Sequence, residues 1–200
     1  MARIKAENFE EIREAILNSA AKVFAAKGFR NTNIIEIGEA CNASKSRMYH
    51  YFPSKEAMLE EMLYQHVDGL VELARDIAAG KGDPDQRLRD YIYLHLKYYD
   101  AGRDRHTVLI EDYGYLSEAA QEKIREAQQT LMGFLSALLQ QVNPEKFSTK
   151  HLASAHAMLI YGMLNWTYTW YKPSGKLGLD VLAAEASDFC LNGIGRKTPA

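Results

Sequence analysis

Between Lys45 and Tyr51 the chain places Lys45, Ser46, Arg47, Tyr49, His50 and Tyr51 within two helical turns, and Ser44 precedes them. Pro53 then stops the run, and Ser54, Lys55 and Glu56 restart it. Cations, hydroxyls and phenols at helical spacing suit a polyanion. Lys and Arg address guanine edges or phosphates, while hydroxyls and Tyr bond the nucleic-acid backbone. Lys55 stands at a predicted helix N-terminus, where free backbone N–H groups already favour a phosphate. From Lys27 to Lys55 there are five Lys or Arg residues and two acids, Glu36 and Glu39, in a chain of net charge -2. The candidate DNA contacts are Thr32, Asn33, Ser44, Lys45, Ser46, Arg47, Tyr49, His50 and Lys55, with Arg3 and Lys5 as a basic arm.

Helices must position these groups. The pattern is helical nearly throughout, with no alternating strand and no repeat. A first helix is predicted over Glu7–Lys27, stopped by Gly28. Thr32 or Asn33 caps a second that runs through Ala40. Asn42 suits a left-handed turn, and Ser44 caps a third that reaches Tyr49–Tyr51. Ile34, Ile37 and Ala40 should face the first helix, with Ala43 and Met48 anchoring the third and Gly38 at the crossing. A helix, a four-residue turn and a helix set the second helix into a major groove. A long fourth helix follows, Lys55–Ala79, with no flexible linker before it. Further helices are predicted at Pro84–Ala101, Thr107–Asp112, from Ser117 to Val142, Thr149–Tyr171 and Leu179–Ile194. The expected fold is all-α, about nine helices, with a DNA-binding domain at 1–54 and a ligand-binding and dimerisation domain at 55–200.

The segment GFRNTNIIEIGEACNASKSRMYHYFPSKEAML, Gly28–Leu59, resembles the helix-turn-helix of the TetR family of bacterial transcriptional regulators. Thr32, Ile37-Gly38, Cys41-Asn42-Ala43-Ser44, Tyr49-His50-Tyr51-Phe52 and Ser54-Lys55-Glu56 carry the likeness. Gly38, Asn42, Ala43 and Tyr51 depart from its usual Ala, Gly, Val and His. The resemblance implies a homodimer on an inverted-repeat operator, with an effector bound in the C-terminal bundle.

The predicted eighth helix is apolar nearly all round, so it needs cover on both sides. The economical solution is a dimer interface built from the helices at about 149–171 and 179–194 of two copies. Nine of the 12 tyrosines follow residue 90. An apolar pocket with a few polar tips suits an amphipathic organic ligand. Candidate lining residues are Tyr91, His95, Tyr99, Tyr113, Phe134, Asn165, Trp166, Trp170 and Lys172, with Tyr98, Tyr115, Met132, Tyr161 and Tyr168 also available to the cavity. Tyr161–Gly178 also resembles regulators of fatty-acid, aromatic-acid or sterol degradation, several of which respond to acyl-coenzyme A thioesters. Such an effector needs cations for its phosphates. Lys172 and Lys176 are the first choice, then Arg87, Arg89, Arg103 and Arg105. The alternative is a multidrug-type sensor of lipophilic compounds controlling an efflux gene, which needs aromatics alone.

No phosphate-binding Gly loop, HExxH or CxxC is present, so an enzyme reading has no specific feature behind it. His151 and His156 are poorly spaced to share a metal, and no cofactor is expected. Glu111 and Asp112 point apart on a helix, and an acid there is expected to cap or to pair with Arg103 or Arg105. Cys41 and Cys190 do not make a disulfide framework. No apolar run spans a bilayer and the start has no signal-peptide core, so a cytoplasmic protein is expected. An architectural DNA protein would need more positive charge overall.

Overall fold

The computed structural model describes residues 2–195, with side chains from Phe9 to Gly193. The side chains of Arg3 and Lys5, and that of Ile194, lie outside the described residues. Among the described residues there are nine α-helices, one 3-10 turn and no strand. They are α1 (Ala2–Lys27), α2 (Ile34–Ala40), α3 (Lys45–Tyr51), α4 (Lys55–Ala79), α5 (Pro84–Ala101) and α6 (Arg103–Asp112). The 3-10 turn Tyr113–Tyr115 precedes α7 (Glu118–Val142), α8 (Lys150–Trp170) and α9 (Leu179–Gly195). No helix among these residues is long and apolar enough to cross a membrane.

Local chemistry sets the ends. Gly28 leaves α1 at φ 79°, and its N–H donates to Phe24 O at 2.7 Å. Of the two cap candidates for α2, Asn33 takes the role: its Oδ1 accepts from Ile35 N and Glu36 N at 2.9 and 3.1 Å. Glu36 answers by accepting from Asn33 N at 2.9 Å, which closes a capping box. Asn42 turns the chain at φ 53°, Ala43 N bonds Gly38 O at 2.8 Å, and Ser44 caps α3 through Arg47 N at 3.2 Å. A Cβ on Gly38 would lie 2.7 Å from Ala43 O, so this crossing admits glycine alone without a shift.

Two boundaries differ from expectation. The first helix begins at Ala2, and α6 begins at Arg103, four residues before Thr107. Gly102 alone separates α5 from α6, because its carbonyl already accepts from His106 N at 2.9 Å.

The helices pack as two compact units. One comprises Met1–His66 and Gly102–Ile124; the other comprises Val67–Ala101 and Arg125–Ala200. In the first, α1 packs on α2 and α6, and α2 on α3. Ile16, Leu17, Ala20 and Phe24 of α1 are buried there, as are Ile37, Met48, Met58, Leu59, Met62 and Val108. Each of the larger side chains contributes roughly 1.5–3 kcal/mol by leaving water. Ala40 is exposed instead of buried against α1, as the last residue of a helix of two turns. In the second unit α5 packs on α8 and α9. Leu88, Ile92 and Leu96 of α5 are buried there, as are Ala153 and Ala157 of α8 and Ala183 and Ala186 of α9.

Candidate nucleic-acid interface and effector site

The first unit presents α3 to solvent. Met48 is fully buried and tethers the helix, while Ser44, Lys45, Ser46, Arg47, Tyr49 and His50 are all exposed. Phe9 of α1 packs on Tyr51 with ring centroids 4.7 Å apart and edge-on to His50 at 6.0 Å, which braces the far end of α3. Asn33 is exposed, but its side-chain oxygen is committed to the α2 cap.

Two expected DNA contacts are placed elsewhere. Thr32 is only 3% exposed, and its hydroxyl donates to Gly28 O at 3.0 Å. Lys55 turns its ammonium inward, donating to Phe29 O at 3.0 Å and Thr32 O at 2.9 Å, 4.3 Å from the Phe29 ring centroid. The reason is competition: loop carbonyls without helical partners take the ammonium that the sequence reading assigned to a phosphate. Asp112 also departs from its expected Arg103 or Arg105 partner. Buried at the end of α6, it accepts from Phe29 N at 3.2 Å, and desolvation raises its carboxyl pKa against that bond. Arg105 instead bonds Glu14, Asn18 and Gln65. No local spacing could have signalled the Phe29–Asp112 contact, which joins residues 83 apart in the chain.

The second unit buries a polar, aromatic cluster where α5 meets α8. The Tyr91 and Tyr161 hydroxyls are hydrogen-bonded to each other, and Tyr161 lies 3.5 Å from His95 Nε2. The His95 ring stacks on Tyr91 at 4.0 Å, with its Nδ1 2.8 Å from Tyr91 O. Tyr99 donates to Asn165 Oδ1 at 2.9 Å. Burial pushes the three phenols up and pulls His95 down to about 4. The cluster is therefore neutral at pH 7, a set of hydroxyl and imidazole tips in an apolar wall.

The structure thus brings together Tyr91, His95, Tyr99, Tyr161 and Asn165 of the expected lining, with Tyr161 at their centre. Phe134 is half-buried on α7. Tyr113 belongs to the first unit, where its hydroxyl donates to Gln121 O at 3.0 Å. Trp166, Trp170 and Lys172 lie on the outer surface, with Trp166 63% exposed. Helical geometry decides this: Trp166 and Trp170 share the face of Leu159, opposite Tyr161 and Leu164. Two candidate phosphate cations are also committed. Arg87 bonds Ile77 O, Ala78 O and Gln141, and Arg89 pairs with Asp188 at 2.7 Å.

Comparison with known proteins adds a decisive observation. Residues 81–194 match the family model described as tetracyclin repressor-like, C-terminal domain, and residues 16–62 match that of bacterial regulatory proteins, tetR family. The chain belongs to the TetR family. It is a DNA-binding transcriptional regulator whose helix-turn-helix is α2–α3. A TetR-family transcriptional regulator from Bordetella parapertussis 12822 is similar over 96% of this chain and 100% of that one, at 39% identity and a TM-score of 0.86. The HTH-type transcriptional repressor KstR2 of Rhodococcus jostii is 27% identical over 191 residues, 91% of this chain and 90% of that protein. The structure of AibR with isovaleryl coenzyme A and operator DNA shares the fold, with a TM-score of 0.77 at 22% identity over 88% of this chain and 96% of that one.

Proposed function

We propose that this TetR-family regulator is a ligand-responsive repressor, released from an inverted-repeat operator by an acyl-coenzyme A thioester or a related metabolite. The exposed Ser44–His50 face of α3 carries the DNA half of this reading. Arg47 reads a base edge; Lys45 and the hydroxyls of Ser44, Ser46 and Tyr49 hold the phosphate backbone. An inverted repeat calls for two copies with recognition helices about one DNA turn apart. The outer face of α8 and α9 supports that dimer. Leu152, Met158, Leu159, Trp166, Trp170, Val181 and Phe189 are exposed there, with Leu159 71% and Phe189 76% accessible. A surface like this is far more apolar than a soluble monomer needs, and a second copy covers it.

The effector site is the Tyr91–His95–Tyr99–Tyr161–Asn165 cluster. Its neutral hydroxyl and imidazole tips suit a carbonyl, and its aromatic wall suits a short acyl chain. Lys172 and Lys176, exposed beside Trp170, supply cations for nucleotide phosphates. The likeness to the repressor KstR2 over nine-tenths of the chain supports repression, and the coenzyme A thioester held by AibR, which shares the fold, fits this ligand class. A second reading, a sensor of lipophilic compounds controlling efflux, is favoured by one observation. Arg87 and Arg89 are spent on protein groups, which leaves fewer cations for phosphates.

The chain binds DNA in one state of its second unit and releases it in another. An effector achieves this only through differential affinity for the two states, and operator must weaken effector binding by the same factor. The testing experiment titrates the purified protein on the intergenic DNA upstream of its own gene, with a panel of acyl-CoAs, the free acids and lipophilic cations. Release by thioesters alone establishes the reading. Release by lipophilic cations alone replaces it with the efflux sensor. Failure to bind any operator-like DNA removes both.

A further inference from the structure

The loop between α1 and α2 is gripped at one residue by two opposite charges. Phe29 N donates to the Asp112 carboxylate of α6 at 3.2 Å, and Phe29 O accepts from Lys55 of α4 at 3.0 Å. Lys55 also holds Thr32 O at 2.9 Å, one residue before the α2 cap. The Phe29 ring is wedged against Phe24 and stacked on Tyr115, with centroids 5.3 and 5.6 Å away. Three elements distant in sequence therefore converge on the peptide that enters the helix-turn-helix.

Stability alone gives poor reason for an acid at position 112. It is the last residue of α6, where the helix dipole disfavours negative charge. It is also only 6% exposed, so its charge is held away from water. A charge-assisted bond to one amide is directional, and that is what such a placement provides in return. The loop residues Gly28–Asn33 have few regular backbone bonds, so their path depends on side-chain anchors. Whatever fixes that path also fixes the angle at which α2 and α3 leave α1.

We propose that Asp112 is a positioning residue for operator recognition: its bond to the Phe29 amide sets the orientation of the helix-turn-helix against α1. The residue touches no DNA. It acts through Phe29, and it lies in a stretch of chain that the sequence assigns to the C-terminal domain. The inference rests on operator binding by α3.

The test compares Asp112→Ala, Asp112→Asn and Val108→Ala for binding to the upstream intergenic duplex by fluorescence anisotropy. Melting temperature and dimer content are measured on the same samples. Val108 is a fully buried α6 side chain without a polar contact, so its truncation lowers stability without touching the grip. Asp112→Ala should lose about tenfold in operator affinity while remaining folded. Asp112→Asn keeps an acceptor oxygen and should recover most of the loss. Amide exchange at Phe29 should accelerate in the Ala variant and much less in the Asn variant. Affinity of Asp112→Ala within twofold of the unmodified protein overturns the proposal. So does an equal loss in Val108→Ala at matched melting temperature, which would make the effect one of stability. If the unmodified protein binds no such DNA, the operator reading fails and takes this inference with it.

Discussion

On α3 the exposed residues are Ser44, Lys45, Ser46, Arg47, Tyr49 and His50, set over a buried Met48; on α8 they are Leu152, Leu159, Trp166 and Trp170, set over a buried Tyr161. The α3 segment keeps its hydrophobe in and its polar groups out, although the first unit buries Thr32, His66, His106 and Asp112 elsewhere. The second unit shows apolar groups to solvent and buries a hydrogen-bonded set of three phenols and an imidazole, with the half-buried Asn165 amide bonded at its edge. Each surface is explained by the partner proposed for it. Cations and hydroxyls on a tethered short helix await a polyanion. An apolar stripe suits a surface like itself, as in the proposed dimer, and a buried polar cluster suits a ligand with a matching polar group, as in the proposed effector site. Partner chemistry is therefore read from the residue types a tethered surface presents as well as from where a region breaks the burial pattern.

The sharpest way to break this comparison is to make the α8 face polar. Leu159→Asp should give a monomer by sedimentation and lower operator affinity by two or more orders of magnitude, since both half-sites must be engaged at once. Dimeric Leu159→Asp would show that the exposed stripe has another purpose. Next in size is an acid-induced loss of stability arising in both units. Burial holds His95 at about 4, and burial followed by the charges of His106 and Arg105 holds His66 at about 3. Both are depressed below the unfolded value near 6.5, so the unfolded chain takes up protons first. The stability is complete above about pH 6.5 and falls as pH drops toward 4, by up to a few kcal/mol. Urea denaturation at pH 7 and pH 4.5 checks it, and a flat profile would mean that the imidazoles are hydrated.

Arg47→Ala sharpens the α3 half: specific binding should weaken by about 1–3 kcal/mol while binding to random duplex changes far less. Equal losses on both DNAs would turn Arg47 into a phosphate contact. The smallest effect separates two lysines that look equivalent in sequence. Lys45→Ala should reduce the salt dependence of binding by roughly one phosphate, whereas Lys55→Ala should leave that slope unchanged whatever it does to affinity. A lower slope for Lys55 would mean that its ammonium leaves the Phe29 and Thr32 carbonyls to meet DNA.

Much of the fold was legible because local signals agreed. Asn42 at a left-handed turn, Ser44 as a cap, Pro53 as a stop and the Asp83-Pro84 start each act within a few residues, and each appears as expected. Where two local solutions were equivalent, the sequence left the choice open. Either Thr32 or Asn33 could cap α2; the Asn33 oxygen makes the cap bonds, while the Thr32 hydroxyl is turned back to Gly28 O. The Gly102 break read as longer than it is, because Gly and charged residues look like a loop whether or not the helix resumes at once.

The candidate site was legible to a lesser extent. Residue type and spacing determined that α3 is a polar face anchored by Met48, and that the C-terminal half holds tyrosines in excess. They determined the all-α class and the family through short-range patterns. Tertiary structure decided which long side chains are available. Lys55, Asp112, Arg87 and Arg89 all reach partners remote in sequence, and flexible charged side chains go where unsatisfied carbonyls, amides and acids happen to converge. It also decided which aromatics meet. Tyr91, His95, Tyr99 and Tyr161 come together while Trp166 and Trp170 face outward, because the side of α8 that packs on α5 follows from the fit of whole helices and not from the hydrophobicity of any one residue.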